Sequence, residues 1–176
     1  MENTLDNEEK ILSADAYELK DEEILERIIL LGFKGDRELY ERFCQSLRDW
    51  LPEGTAVSLR GSVVTNARHE DGTPFDSKGE GTSDLDLTLH GSEARAMFKG
   101  EEFYIPGLHS KPLGDKDPDI ATPELDAFRR ELQEMVGRPV NIHATSDLVL
   151  DVRHVLMGQP YFVIVRPEEI KQKDDA

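Results

Sequence analysis

In Ser83-Asp84-Leu85-Asp86-Leu87-Thr88-Leu89, polar and apolar residues alternate from Asp84 onward. A period of two is the signature of a half-buried strand, with Leu85, Leu87 and Leu89 facing a core and Asp84, Asp86 and Thr88 facing away. Aspartate is depleted in strands because its side chain competes with the ladder for backbone hydrogen bonds. Two carboxylates on one face also repel, by roughly 4 kcal/mol at a spacing of about 4 Å and an effective dielectric of about 20. Either water screens the pair or a cation sits between them, and this stretch alone leaves both open.

Upstream, Leu59-Arg60-Gly61-Ser62 closes a strand predicted over 55–60 and leads into a short helical stretch, Val63-Val64-Thr65-Asn66-Ala67. Glycine lets backbone come close to a ligand. The serine hydroxyl and the N–H groups of the following turn can donate to phosphate oxygens. A Gly-Ser pair after a strand is by itself an ordinary turn. Beside a strand carrying Asp-x-Asp it gains a complement, because the turn can hold a triphosphate and the carboxylates the magnesium that neutralises it.

Further out the period lengthens. Residues 21–31 place Ile24, Leu25, Ile28 and Ile29 on one helical face, with Gly32 as a stop. A second helix over 36–51 has a core-facing stripe of Leu39, Tyr40, Phe43, Cys44, Leu47, Trp50 and Leu51, and Pro52 and Gly54 end it. Cys44 reads as a buried small hydrophobe. Thr122 as N-cap, Pro123 as the first helical residue and Gly137 as terminator bound a third helix, with Leu125, Phe128, Leu132 and Met135 inside. Strands are predicted at 140–144 and 161–165, separated by a helix from 146 to about 157 whose Asp147 and Asp151 complement its N-terminal dipole. Residues 66–82 form a loop that is long for a compact domain, and 100–119 form a second irregular excursion. His69, Asp71 and Asp76 in the first loop receive no role.

The chain divides into a flexible acidic arm at 1–20, one domain at 21–166 and a charged tail at 167–176. The order of elements predicts an α/β (α+β) fold, a mixed sheet of about four to five strands with packed helices.

With both motifs in view, the chain resembles the DNA polymerase beta-like nucleotidyltransferase superfamily, of the minimal type. Minimal members include drug-modifying adenylyltransferases and small antitoxin nucleotidyltransferases that modify a partner toxin. The likeness rests on Leu-Arg-Gly-Ser at 59–62 and Ser-Asp-Leu-Asp-Leu at 83–87, and more loosely on the elements from about 36 to 165. It implies a Mg²⁺- or Mn²⁺-dependent transfer of a nucleoside monophosphate from a nucleoside triphosphate, such as ATP or GTP, to an acceptor hydroxyl. On this resemblance Asp84 and Asp86 are the catalytic metal ligands, Gly61 and Ser62 orient the phosphates, and Arg60 is a further nucleotide-binding candidate. Two departures stand out. The 21 residues between Ser62 and Asp84 exceed the family's usual spacer, so 66–82 reads as an insertion. The family also places a third carboxylate on a later strand, whereas Val140-Asn141-Ile142-His143-Ala144 offers Asn141 there and His143 on the same face. The alternative is therefore a catalytically degenerate domain of this fold, serving as a nucleotide-binding or antitoxin-like protein-interaction module.

Lys plus Arg total 21 and Asp plus Glu total 37 in 176 residues, a formal net charge of −16. Such a surface repels a phosphate backbone and an anionic membrane, and the sequence has no basic stripe to offset it. The expected acceptor is a small molecule or a protein, not a long nucleic acid. No apolar run is long enough to span a bilayer. The N-terminus lacks the features of a signal peptide, and Cys44 has no intrachain disulfide partner, which together suggest a cytoplasmic setting.

Overall fold

In the computed structural model, which describes residues 4–146 and 160–170, the first elements are α1 (Thr4–Ser13), a 3₁₀ turn (Ala16–Glu18), α2 (Asp21–Gly32) and α3 (Arg37–Trp50). They are followed by β1 (Ala56–Arg60), α4 (Ser62–Thr65), β2 (Leu85–His90), α5 (Ser92–Ala96), β3 (Phe103–Ile105) and β4 (His109–Ser110). Then come α6 (Pro123–Val136), β5 (Val140–Thr145), β6 (Tyr161–Val165) and a last 3₁₀ turn (Pro167–Glu169). The helix expected over 146–157, with Asp147 and Asp151, lies largely outside the described residues, as does the tail beyond Ile170.

The sheet is mixed and open, in the order β3-β4-β5-β2-β1-β6. β2 runs antiparallel to β1 and parallel to β5, so the alternating stretch lies inside the sheet. Leu85, Leu87 and Leu89 are fully buried, in one cluster with Val57 and Leu59 of β1 and Val140, Ile142 and Ala144 of β5. The stripes of α2, α3 and α6 enter the same cluster, and Trp50 stacks on Phe128 with ring centroids 4.4 Å apart where α3 meets α6. The caps of α6 are as its sequence suggests. Thr122 accepts from the N–H of Leu125, and Gly137 takes a left-handed φ of 68°. Cys44 is buried, and burial pushes its thiol up to about 11, which makes it inert packing.

Two expectations are corrected. The described sheet has six strands, where four to five were expected. The additional pair, β3 and β4, lies within 100–119; strands of three and two residues are too short to show a period. The arm before Lys20 is not featureless, because α1 lies there with Ile11 buried. What holds it is Arg27 of α2, fully buried, which donates Nε to Ile11 O at 2.7 Å and also bonds Ala14 O. The start of the tail is likewise anchored, with Ile170 in the core and Glu169 paired to Arg48 at 3.2 Å. No described helix is long and apolar enough to cross a membrane.

Candidate functional site

Strand register assembles the site. Asp86 is opposite Arg60 on β1 and Asn141 on β5, while Thr88 is opposite Ser58 and His143. The sheet thus has one leucine-rich face and one polar face. Asp84, two residues before Asp86, falls on the polar face at the mouth of β2. Asn141 Nδ2 donates to Asp84 Oδ2 at 2.6 Å and to Asp86 Oδ1 at 3.4 Å, so one amide bridges both carboxylates. At the end of β1, Gly61 has φ 77° and ψ −152°, a conformation that L side chains rarely adopt. A Cβ there would sit 3.1 Å from Asp86 Oδ2. Glycine is needed both for the turn and for its closeness to the carboxylate. Ser62 follows as the first residue of α4.

The electrostatics are those of a pair held too close. Burial, and then the neighbouring Asp84, push the Asp86 carboxyl up to about 6, against the opposing pull of Arg60 and Asn141. Arg60 also lies 2.7 Å from His143 Nε2. A guanidinium only donates, so Nε2 accepts, and the proton of the neutral ring sits on Nδ1, which faces Ser110 O at 3.4 Å. Burial, then Arg60 and the stacked ring of His109, hold His143 well below the ordinary histidine range. His143 is therefore a neutral acceptor that orients Arg60. Its ring nitrogens are directed at Arg60 and Ser110, so of the two candidates for the third position Asn141 is the one on the carboxylates.

A cavity of about 430 Å³ opens beside Asp84 and Asn141, walled by Thr82, Pro112, Gly114, Asp115, Lys116 and Asp117. Gly61, Ser62 and Asp86 do not line it. A larger one of about 750 Å³ lies under α1, rimmed by Glu8, Glu9 and Asp15. With an acidic rim and no basic lining residue, it is unsuited to a phosphate.

Residues that the sequence did not single out frame the site. Gly114 is set against Asn141, and a Cβ there would meet Asn141 Oδ1 at 2.5 Å. Asp76 in the long loop forms a two-pronged pair with Arg138, both contacts at 2.9 Å, next to Ser83. No local pattern links Asp76 to an arginine 62 positions away. The one available hint was a lone aspartate between glycines, a type tolerant of the left-handed backbone that Asp76 adopts at φ 58°.

The donor set suits a hard divalent cation. Two carboxylates share one face, burial and then the charge of Asp84 raise Asp86, and an amide that presents its N–H₂ here can offer oxygen after a flip. Among the described residues no group of three His, Cys, Asp or Glu gathers as a complete metal cage. Magnesium does not need one, since it commonly takes one or two carboxylates and completes its shell with phosphates and water. Comparison with known protein families, with curated proteins and with solved structures found no match.

Proposed function

We propose that the protein is a Mg²⁺-dependent nucleotidyltransferase of the DNA polymerase beta-like type, moving a nucleoside monophosphate from a nucleoside triphosphate to a hydroxyl of a small molecule or protein. The observation that carries this reading is the closeness of the Gly61 turn to Asp86, with Asp84 and Asn141 on the same face. Asp84 and Asp86, with Mn²⁺ as an alternative to Mg²⁺, would hold the metal; when bound, it neutralises phosphate charge and polarises the phosphoryl group. Gly61 and Ser62 receive the phosphates at close range, and Arg60, held by His143, adds positive charge beside them. The acceptor approaches from the cavity beside Asp84 and Asn141, so that its hydroxyl and the leaving pyrophosphate lie on opposite sides of the transferred phosphorus. The oxygen–phosphorus bond to the acceptor forms as the bond to pyrophosphate breaks, the hydroxyl proton passes to solvent water, and catalysis rests on positioning and charge.

A second reading is favoured by Asn141. It carries no charge and is a poor base, and a missing general base typically costs about 10²–10⁴ in rate. On this reading the domain binds nucleotide or a protein partner without turnover. Pyrophosphate release by the parent and by Asn141→Asp, with a panel of triphosphates and acceptors, separates the two. A working enzyme turns over as the parent, and Asn141→Asp gains little. A degenerate one gains activity from a very low level with the variant. Silence in both, with no nucleotide binding, overturns both readings.

A further inference from the structure

Arg138 is 3% exposed, and every N–H of its guanidinium meets an acceptor. Nε donates to Gly32 O at 3.2 Å, one terminal nitrogen to Asp76 Oδ1 and Ser83 O, both at 2.9 Å, and the other to Asp76 Oδ2 at 2.9 Å and Leu31 O at 3.3 Å. Its cation also lies 4.7 Å from the centre of the Phe75 ring. Asp76 reaches Ser83 from the other side. Ser83 N donates to Asp76 Oδ1 at 2.9 Å, and Asp76 N donates to Ser83 Oγ at 2.8 Å. Gly81 N donates to Asp76 Oδ2 at 3.2 Å. Burial works against the Asp76 charge, yet Arg138 and these N–H groups outweigh it and hold the carboxyl below its ordinary range.

Ser83 immediately precedes Asp84, and Arg138 precedes Asn141 by three residues. One ion pair, its arginine buried and its aspartate half-buried, therefore ties together the chain entering β2 and the chain entering β5, where Leu85 N already donates to Pro139 O at 2.9 Å. We propose that Asp76 and Arg138 are positioning residues: they fix the backbone of Ser83, and with it Asp84, in register with Asn141, so that the long 66–82 loop sets the spacing of the metal-binding carboxylates. This rests on the reading of Asp84 and Asp86 as metal ligands. It gives the loop a role in site geometry. Partners that orient ligating groups typically contribute about 10–100-fold to metal affinity.

The test uses the full chain with two readouts, amide exchange at Gly81, Ser83 and Leu85, and Mn²⁺ affinity from the electron-spin signal of free Mn²⁺. Asp76→Asn tolerates the left-handed backbone and so preserves the turn. Arg138→Lys keeps the charge but loses the fork. Both should accelerate exchange at Ser83 well beyond any change in global stability seen in urea, and both should weaken Mn²⁺ binding about tenfold or more. Unchanged exchange overturns the latch. Faster exchange with unchanged Mn²⁺ affinity overturns its positioning role. A parent that binds no Mn²⁺, or that binds it equally with Asp84→Asn and Asp86→Asn together, overturns the metal-ligand reading and the positioning role with it, whereas the exchange data still report on the latch separately.

Discussion

The charge on Asp86 works against folding. Its carboxyl is raised from an ordinary 3.8 to about 6, so between these values the folded state binds more protons than the unfolded chain. Stability therefore falls as pH rises through that window, and the penalty is complete above about 6. A shift of this size corresponds to about 3 kcal/mol, an upper bound because solvent at the mouth of the strand screens the pair. Urea unfolding of Asp86→Asn should show a higher midpoint at pH 7 and a flatter profile between pH 4 and 6; a less stable variant at pH 7 would mean that the charge is already compensated. Gly61→Ala should cost about 1–3 kcal/mol by the same assay, from backbone strain and crowding of Asp86. That Asp84 and Asp86 share the face of a strand, and that Gly61 and Ser62 turn the chain after one, was legible in the sequence because each belongs to a local pattern, alternation or a turn after a strand. The Arg60–His143 bond was not, because it joins residues 83 positions apart whose meeting depends on the order β5-β2-β1.

Among the elements, the amphipathic helices could be read directly. Their stripes recur at helical spacing, and Thr122, Pro123 and Gly137 mark the ends of α6. α1 escaped notice because its stability comes from a partner, and its own apolar stripe is thin. Arg27 supplies that partnership and also donates to Val64 O at 2.8 Å, linking α1, α2 and α4. Arg27→Met removes the donor from three backbone carbonyls at once. The expected cost is about 3 kcal/mol or more, at roughly 1–3 kcal/mol for each buried group left unpaired. Because α4 begins at Ser62, exchange of the amides at 62–66 should also rise. A variant with parental stability and parental exchange would show that Arg27 merely fills space.

For the whole molecule, charge decides which partners fit. With a formal net charge of −16, the protein should show no appreciable binding of duplex DNA or RNA at physiological salt in a gel shift. Submicromolar, salt-sensitive binding would contradict this and reopen polymer-directed chemistry. The same charge makes a bare triphosphate an unfavourable ligand, since Asp84 and Asp86 would repel it. The central claim is therefore best tested by calorimetric titration of ATP and GTP, with and without Mg²⁺, into the parent and into Asp84→Asn combined with Asp86→Asn. Binding by the parent is expected only when Mg²⁺ is present, and none by the double variant, whose circular dichroism remains that of the parent. Equal binding by parent and double variant, or binding by the parent that is indifferent to Mg²⁺, would contradict it.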